Sequence, residues 1–234
     1  MLSPVAVKLF RILPKGILLK LVKTIVNYYI GKYADIKISG MENIDDVKKS
    51  RIFICNHLSN SDGLLLSKIL KEKSDPYFIA GIKLSNDPLT SLGADIVKHI
   101  NIKPNSADKD AITKIVKTLK AGEDILIFPE GTRSRTGQMI KGKKGILLFT
   151  KMTKATVIPI GMTGSEKLLP IAEDGDMASE KWHNAQINIK IGKKVEFPKK
   201  SKEEDKHEYE DKCMDILMKG IANLLPEDYR GVYK

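Results

Sequence analysis

Asn56-His57-Leu58-Ser59-Asn60-Ser61-Asp62 places an imidazole five residues before a carboxylate. That spacing is too wide for one face of a helix, where partners lie three or four apart. A turn between the two residues brings the carboxylate to one ring nitrogen, fixes the tautomer and leaves the other nitrogen as a base. A second reading of the same residues makes Asp62 only the N-cap of the helix that follows, with His57 a solvated loop residue. Further along, Phe128-Pro129-Glu130-Gly131-Thr132-Arg133-Ser134-Arg135 combines a carboxylate, a glycine and two guanidinium groups in one short stretch. Gly131 lets a ligand approach the backbone closely, and Arg133 offers a fork to a phosphate. Glu130 bonds a hydroxyl or fixes the loop, and an ion pair with Arg133 or Arg135 is the structural alternative.

Both stretches need strands to deliver them. Arg51-Ile52-Phe53-Ile54-Cys55 is a short apolar run before His57, and Gly63-Leu64-Leu65-Leu66 opens a helix after Asp62. Asp124-Ile125-Leu126-Ile127 likewise precedes Glu130. Active groups of open α/β sheets sit at this strand-to-helix junction.

Taken as an ordered pair about seventy residues apart, NHLSNSD and FPEGTRSR resemble the blocks of the glycerolipid acyltransferases, in particular the 1-acylglycerol-3-phosphate (lysophosphatidic acid) acyltransferases. Val157-Ile158-Pro159-Ile160-Gly161 resembles that family's last block. The resemblance implies transfer of a fatty acyl chain from acyl-CoA or acyl-carrier protein, as co-substrate, to the free hydroxyl of 1-acylglycerol 3-phosphate, giving phosphatidic acid in phospholipid biosynthesis. It implies His57 and Asp62 as catalytic residues. Glu130, Gly131, Thr132 and Arg133 would bind the acceptor, and neither a metal nor a cofactor is expected. Glycerol 3-phosphate or another lysophospholipid is the alternative acceptor. Gly93-Ala94-Asp95-Ile96-Val97-Lys98-His99 resembles the second block but ends in His99 where the family has Arg. Lys98 is the expected phosphate contact there, although it cannot make the bidentate fork of Arg. Gly142-Lys143-Lys144-Gly145 resembles the family's Phe-Lys-x-Gly without the aromatic, which makes Lys143 another phosphate candidate beside the reading of a flexible basic loop.

The 234 residues suit one α/β domain, and 42% hydrophobic residues suffice for a packed core. A net charge of +11 fits an anionic partner: a lipid surface, a phosphorylated substrate or nucleic acid. Aromatics at 6%, with no basic-aromatic strand pattern, argue against nucleic acid. No Gly-x-Ser-x-Gly elbow favours a hydrolase, and no His-Glu-x-x-His pair favours zinc. Cys55 and Cys213 are too few and too distant for a disulfide framework; Cys55 reads as a small hydrophobe at a strand end rather than an acyl-carrying nucleophile.

The expected architecture is a single mixed sheet flanked by helices over 34–234, preceded by a pair of basic amphipathic helices over 1–33. Every charge before Asp35 is basic, including Lys8, Arg11, Lys20 and Lys23. Such helices fit an anionic membrane surface, peripheral or monotopic, on the cytoplasmic face; docking on the domain's own core is the alternative. No run long enough to span a bilayer and no cleavable signal peptide is read. Strands are expected at 34–39, 51–55, 77–80, 124–128, 155–161 and 185–192, the last as an edge strand. Helices are expected at 2–13, 17–30, 63–71, 106–120 (capped by Ser106), 146–153 and 207–225, with 163–184 an exposed excursion and 199–206 a charged linker.

Overall fold

The structure, a computed structural model, describes residues 13–47, 50–81, 95–104, 106–173 and 179–234. The expected helix 2–13 falls outside these residues except for Leu13, as do Gly93 and Ala94 at the start of the block that ends in His99.

Alternation decides the layers. In β2 (Arg51–Cys55), Ile52 and Ile54 point to one face and Phe53 and Cys55 to the other, and all four are fully buried. A strand without a polar face must be covered on both sides. On the Ile52 side lie α4 (Lys109–Lys120), α5 (Gly145–Thr153) and α6 (Lys206–Ala222), with Ile115, Phe149, Leu217 and Ile221 in one cluster. On the Phe53 side lie α1 (Lys15–Tyr33), α2 (Glu42–Asp45) and α3 (Asp62–Leu70), with Ile30, Ile44, Leu65 and Leu70 in the other.

The remaining strands are β1 (Ala34–Ser39), β3 (Tyr77–Gly81), β4 (His99–Ile102), β5 (Ile125–Ile127), β6 (Thr156–Thr163) and β7 (Ala185–Ile191). They form one seven-stranded sheet in the order β1-β7-β6-β2-β5-β3-β4. Five strands run parallel; β7 is antiparallel to β6, and β1 parallel to β7, so the sheet is mixed. β2 and β5 are neighbours, with Ile54 opposite Ile127, so their C-terminal ends open side by side. At their other ends, Arg51 Nε and Nη2 donate to Asp124 Oδ2 at 3.0 and 2.7 Å, and Ser74 Oγ donates to the same oxygen at 2.6 Å. This partly buried pair pins the two strands in register.

Three expectations need correction. β7 is not an edge strand: its alternation of Ile187, Ile189 and Ile191 against polar residues arises because only one face is covered, while both edges are paired. The edges are β1 and β4, and β4 was not expected at all. The cap of α4 is Asp108, whose carboxylate accepts from Ala111 N, whereas Ser106 Oγ turns back to the carbonyl of Lys103. At the N-terminal side, α1 runs unbroken from Lys15, with Gly16 tolerated in its first turn. Its C-terminal half docks on the core through Val26, Ile30 and Tyr33, while Ile17, Leu21 and Tyr28 remain exposed. Among the described residues no helix is long and apolar enough to cross a membrane.

Candidate active site

β2 ends at Cys55 and the chain turns through 56–61 before α3 begins. Asn56 fastens this turn to the end of β6: its Nδ2 donates to the carbonyl of Met162 at 2.8 Å and its Oδ1 accepts from Met162 N at 2.9 Å. Ser59 Oγ donates to the carbonyl of Leu169 at 2.8 Å. Both residues brace the turn.

His57 Nδ1 lies 2.7 Å from Asp62 Oδ2. The same oxygen accepts Leu58 N and Ser59 N at 2.7 and 2.9 Å, so the carboxylate turns back into the loop instead of capping α3. Asp62 is fully buried, whereas the His57 side chain is 20% exposed. The imidazole stacks on Phe128, with centroids 4.0 Å apart and 14° between the planes. With Nδ1–H donated to a carboxylate and one ring face covered, Nε2 carries the lone pair that can take a proton.

The neighbouring loop leaves β5. Ser134 N donates to the carbonyl of His57 at 2.8 Å, closing the two loops on each other. Glu130 is 1% exposed; its Oε1 accepts His57 N at 2.9 Å and its Oε2 accepts Ile140 N at 3.0 Å. Burial pushes its pKa up from the ordinary 4.5 to about 7, with the two N–H bonds pulling it down and the charge of Asp62 adding to the rise. Of the roles read for Glu130, the structure shows the one that fixes the loop. The ion pair of this region joins Arg133 Nη1 to Glu180 Oε1 at 3.1 Å instead.

Gly131 has φ +71°, and a Cβ there would stand only 2.9–3.1 Å from the Cε, Cδ and Nζ of Lys143. The left-handed φ favours glycine here, whereas the contact itself is with the flexible end of a lysine that can shift. Lys143 N also donates to the carbonyl of Pro129 at 2.8 Å. Lys143 therefore packs against the Pro129–Gly131 turn that carries Glu130, and Thr132 beside it is exposed.

Lys98 does not. It precedes β4 at the edge where the parallel strands begin, and its Nζ lies 3.1 Å from Glu123 Oε2 and 4.0 Å from the centroid of the Tyr77 ring. Burial lowers its pKa, but the bond to Glu123, that group's charge, Tyr77 and Asp75 outweigh it, so the ammonium titrates above its usual value. His57 sits beyond the opposite ends of the strands, so the phosphate contact expected of Lys98 has no geometric basis. Cys55 is fully buried, and burial, together with Asp62 and Glu130, pushes its thiol pKa well up, which keeps it protonated and unreactive. Among the described residues no three His, Cys, Asp or Glu side chains are grouped to hold a metal ion.

No motif in the sequence singles out Glu180. Both its oxygens accept Asn60 Nδ2, at 2.8 and 2.7 Å, so it touches the His57 loop as well as Arg133.

Comparison with known proteins gives these residues a context. The family model described as Acyltransferase matches residues 35–163, more than half of the chain. A chloroplastic 1-acyl-sn-glycerol-3-phosphate acyltransferase of Arabidopsis thaliana, LPAT1, is 28% identical over 143 residues, covering 60% of this chain and 39% of that protein. A glycerol-3-phosphate acyltransferase of Pseudomonas savastanoi pv. phaseolicola is 30% identical over 141 residues, covering 56% of this chain and 17% of that protein. The chain thus spans less than half the length of these curated relatives. The crystal structure of the 1-acyl-sn-glycerophosphate acyltransferase PlsC from Thermotoga maritima superposes with a TM-score of 0.62 at 23% identity, covering 90% of this chain and 80% of that one, which shows a shared fold. Because the matched stretch contains the His57–Asp62 pair, the Glu130–Arg133 cluster and the strands β2 to β6 that carry them, the chain belongs to the acyltransferase family.

Proposed function

We propose that the chain moves a fatty acyl group from an acyl thioester, acyl-CoA or acyl-carrier protein, to the free hydroxyl of 1-acylglycerol 3-phosphate. The observation that carries this reading is the 2.7 Å contact between His57 Nδ1 and Asp62 Oδ2, set in the loop that also meets Arg133 through Glu180. His57 Nε2 takes the hydroxyl proton as the alkoxide oxygen attacks the thioester carbonyl carbon. The tetrahedral intermediate collapses, the C–S bond breaks, and the imidazolium returns its proton to the leaving thiolate. The nucleophile is the acceptor's own hydroxyl, so no serine is needed, and the inert Cys55 agrees with that. Asp62 orients the ring and stabilises its protonated form. Arg133 and Lys143 hold the phosphate, and Gly131 and Thr132 shape the wall beside it. His57 and Asp62 are the catalytic pair of this reading, and Glu130 supports the site from below rather than touching the acceptor.

Residues 1–33 serve in this reading as the membrane-interface segment and 34–234 as the catalytic domain. The exposed Ile17, Leu21 and Tyr28, beside Lys20 and Lys23, favour seating on an anionic surface. A second acceptor, glycerol 3-phosphate, is favoured by the likeness to proteins named for that substrate. The test is an acceptor panel. Purified protein is incubated in detergent with acyl-CoA or acyl-carrier protein and with 1-acylglycerol 3-phosphate, glycerol 3-phosphate or a phosphate-free monoacylglycerol, and products are read by mass spectrometry. Phosphatidic acid is the expected product. Ester formed from glycerol 3-phosphate alone would favour the second acceptor, and no ester from any acceptor would refute the reaction.

A further inference from the structure

Asn60 and Arg133 stand on different loops, and Glu180, which belongs to none of the sequence blocks, joins them. Its side chain is 2% exposed and that of Arg133 is 14% exposed. A carboxylate and a guanidinium so far removed from water lose hydration that only good geometry repays. Here both carboxylate oxygens accept Asn60 Nδ2, at 2.8 and 2.7 Å, and Oε1 also receives Arg133 Nη1 at 3.1 Å. The segment after Glu180 is itself held: Trp182 packs against the core and its ring lies 5.8 Å from that of Tyr29, while His183 N donates to the carbonyl of Leu168 at 2.9 Å. Glu180 is therefore a fixed point rather than a surface charge that happens to meet an arginine.

Asn60 lies between His57 and Asp62 in the chain, so the Asn60–Glu180–Arg133 bridge sets the spacing between the imidazole and the guanidinium. The ion pair engages Nη1, and a guanidinium carries five N–H donors in a rigid plane, so the pairing orients the fork while leaving it able to bind phosphate. We infer that Glu180 is a positioning residue that holds Arg133 at a set distance from His57, so that a phosphate gripped by the guanidinium presents its hydroxyl to the base. The inference rests on the acceptor site proposed above. The opposite effect, in which the carboxylate competes with phosphate for Arg133, makes the opposite prediction for binding.

The test is equilibrium binding of glycerol 3-phosphate to the full chain by calorimetry, for wild type, Glu180→Gln and Asn60→Ser, beside the KM and kcat of acyl transfer. Displacements of about 1 Å at such sites are felt strongly, up to about 10²-fold. Glu180→Gln is expected to weaken glycerol 3-phosphate binding about tenfold and to raise the acceptor KM by a similar factor. The donor KM should stay within about twofold. Asn60→Ser, which breaks the bridge on the other side and leaves the ion pair in place, is expected to shift binding in the same direction by a smaller factor and supplies the test if Glu180→Gln does not fold. Unchanged or tighter binding in both variants would overturn the inference, as would wild-type protein that binds no glycerol 3-phosphate. Glu180-dependent binding without any acyl transfer would sink the proposed reaction and leave the positioning role standing.

Discussion

Glu130 Oε1 accepts the main-chain N–H of His57 at 2.9 Å while Oε2 accepts that of Ile140 at 3.0 Å, so one buried carboxylate ties the loop of the base to the loop that carries Lys143. The tie has a pH signature. Burial raises the pKa of Glu130 from 4.5 to about 7, so the folded chain keeps this proton in a range where the unfolded chain has released it. The contribution of Glu130 to stability is therefore greatest below about pH 4.5, falls as pH rises towards 7 and is level above that, a total of about 3 kcal/mol. Urea unfolding of wild type and Glu130→Gln between about pH 5 and 7.5 reads this. Wild type is expected to lose stability relative to the variant as pH rises, and parallel curves would contradict it.

Lys98 and Lys143 were both candidates for the phosphate, and the fold separates them. Lys143 lies against Gly131, while Lys98 pairs with Glu123 at the far edge of the sheet. Lys98→Ala is expected to leave the acceptor KM within about twofold and to cost no more than about 1 kcal/mol of stability, as exposed ion pairs do. Lys143→Ala is expected to raise the acceptor KM several-fold with little change in donor KM. Steady-state kinetics of the two variants decide between them.

How much of this was legible in the residues follows from the distances involved. The His57–Asp62 contact spans five positions, and its apolar strand before and helix after are visible in one short stretch. The loop after β5 was legible for the same reason. Glu180 meets Asn60 across 120 positions, from a stretch of ordinary polar composition, so only the packed structure brings them together. β4 holds just four residues, too few to show a pattern, and its first residue His99 and the preceding Lys98 read as part of a motif instead. The alternation in β7 reports which face is covered and says nothing about its edges, which is why the strand order was not readable.

The C-terminal turn supports the site from outside. Tyr233, in the turn Gly231–Tyr233, accepts Gly142 N–H on its hydroxyl at 3.0 Å, next to Lys143, and Tyr229 donates to Glu166 Oε1 at 2.7 Å. Tyr233→Phe leaves that N–H without its acceptor, at a cost of about 1 kcal/mol. A melting curve should show a drop of about 2–4 °C, with at most a small rise in acceptor KM because Lys143 keeps its own bond to the carbonyl of Pro129.

The exposed face of α1 carries its own prediction. Lys20 and Lys23 are exposed, so reversing both charges should leave the fold intact. Each basic residue near an anionic surface contributes about 1 kcal/mol, and Lys20→Glu with Lys23→Glu is expected to lower co-sedimentation with phosphatidylglycerol vesicles at least tenfold. Unchanged co-sedimentation would refute the interface role.

The most direct measurement is the turnover of His57→Ala with acyl-CoA and 1-acylglycerol 3-phosphate, after its circular dichroism has been matched to wild type. A positioned base contributes about 10²- to 10⁴-fold. The account predicts a kcat reduced by at least about 10²-fold, with the acceptor KM little changed because the phosphate grip is intact. A folded His57→Ala protein that turns over within about tenfold of wild type would contradict it.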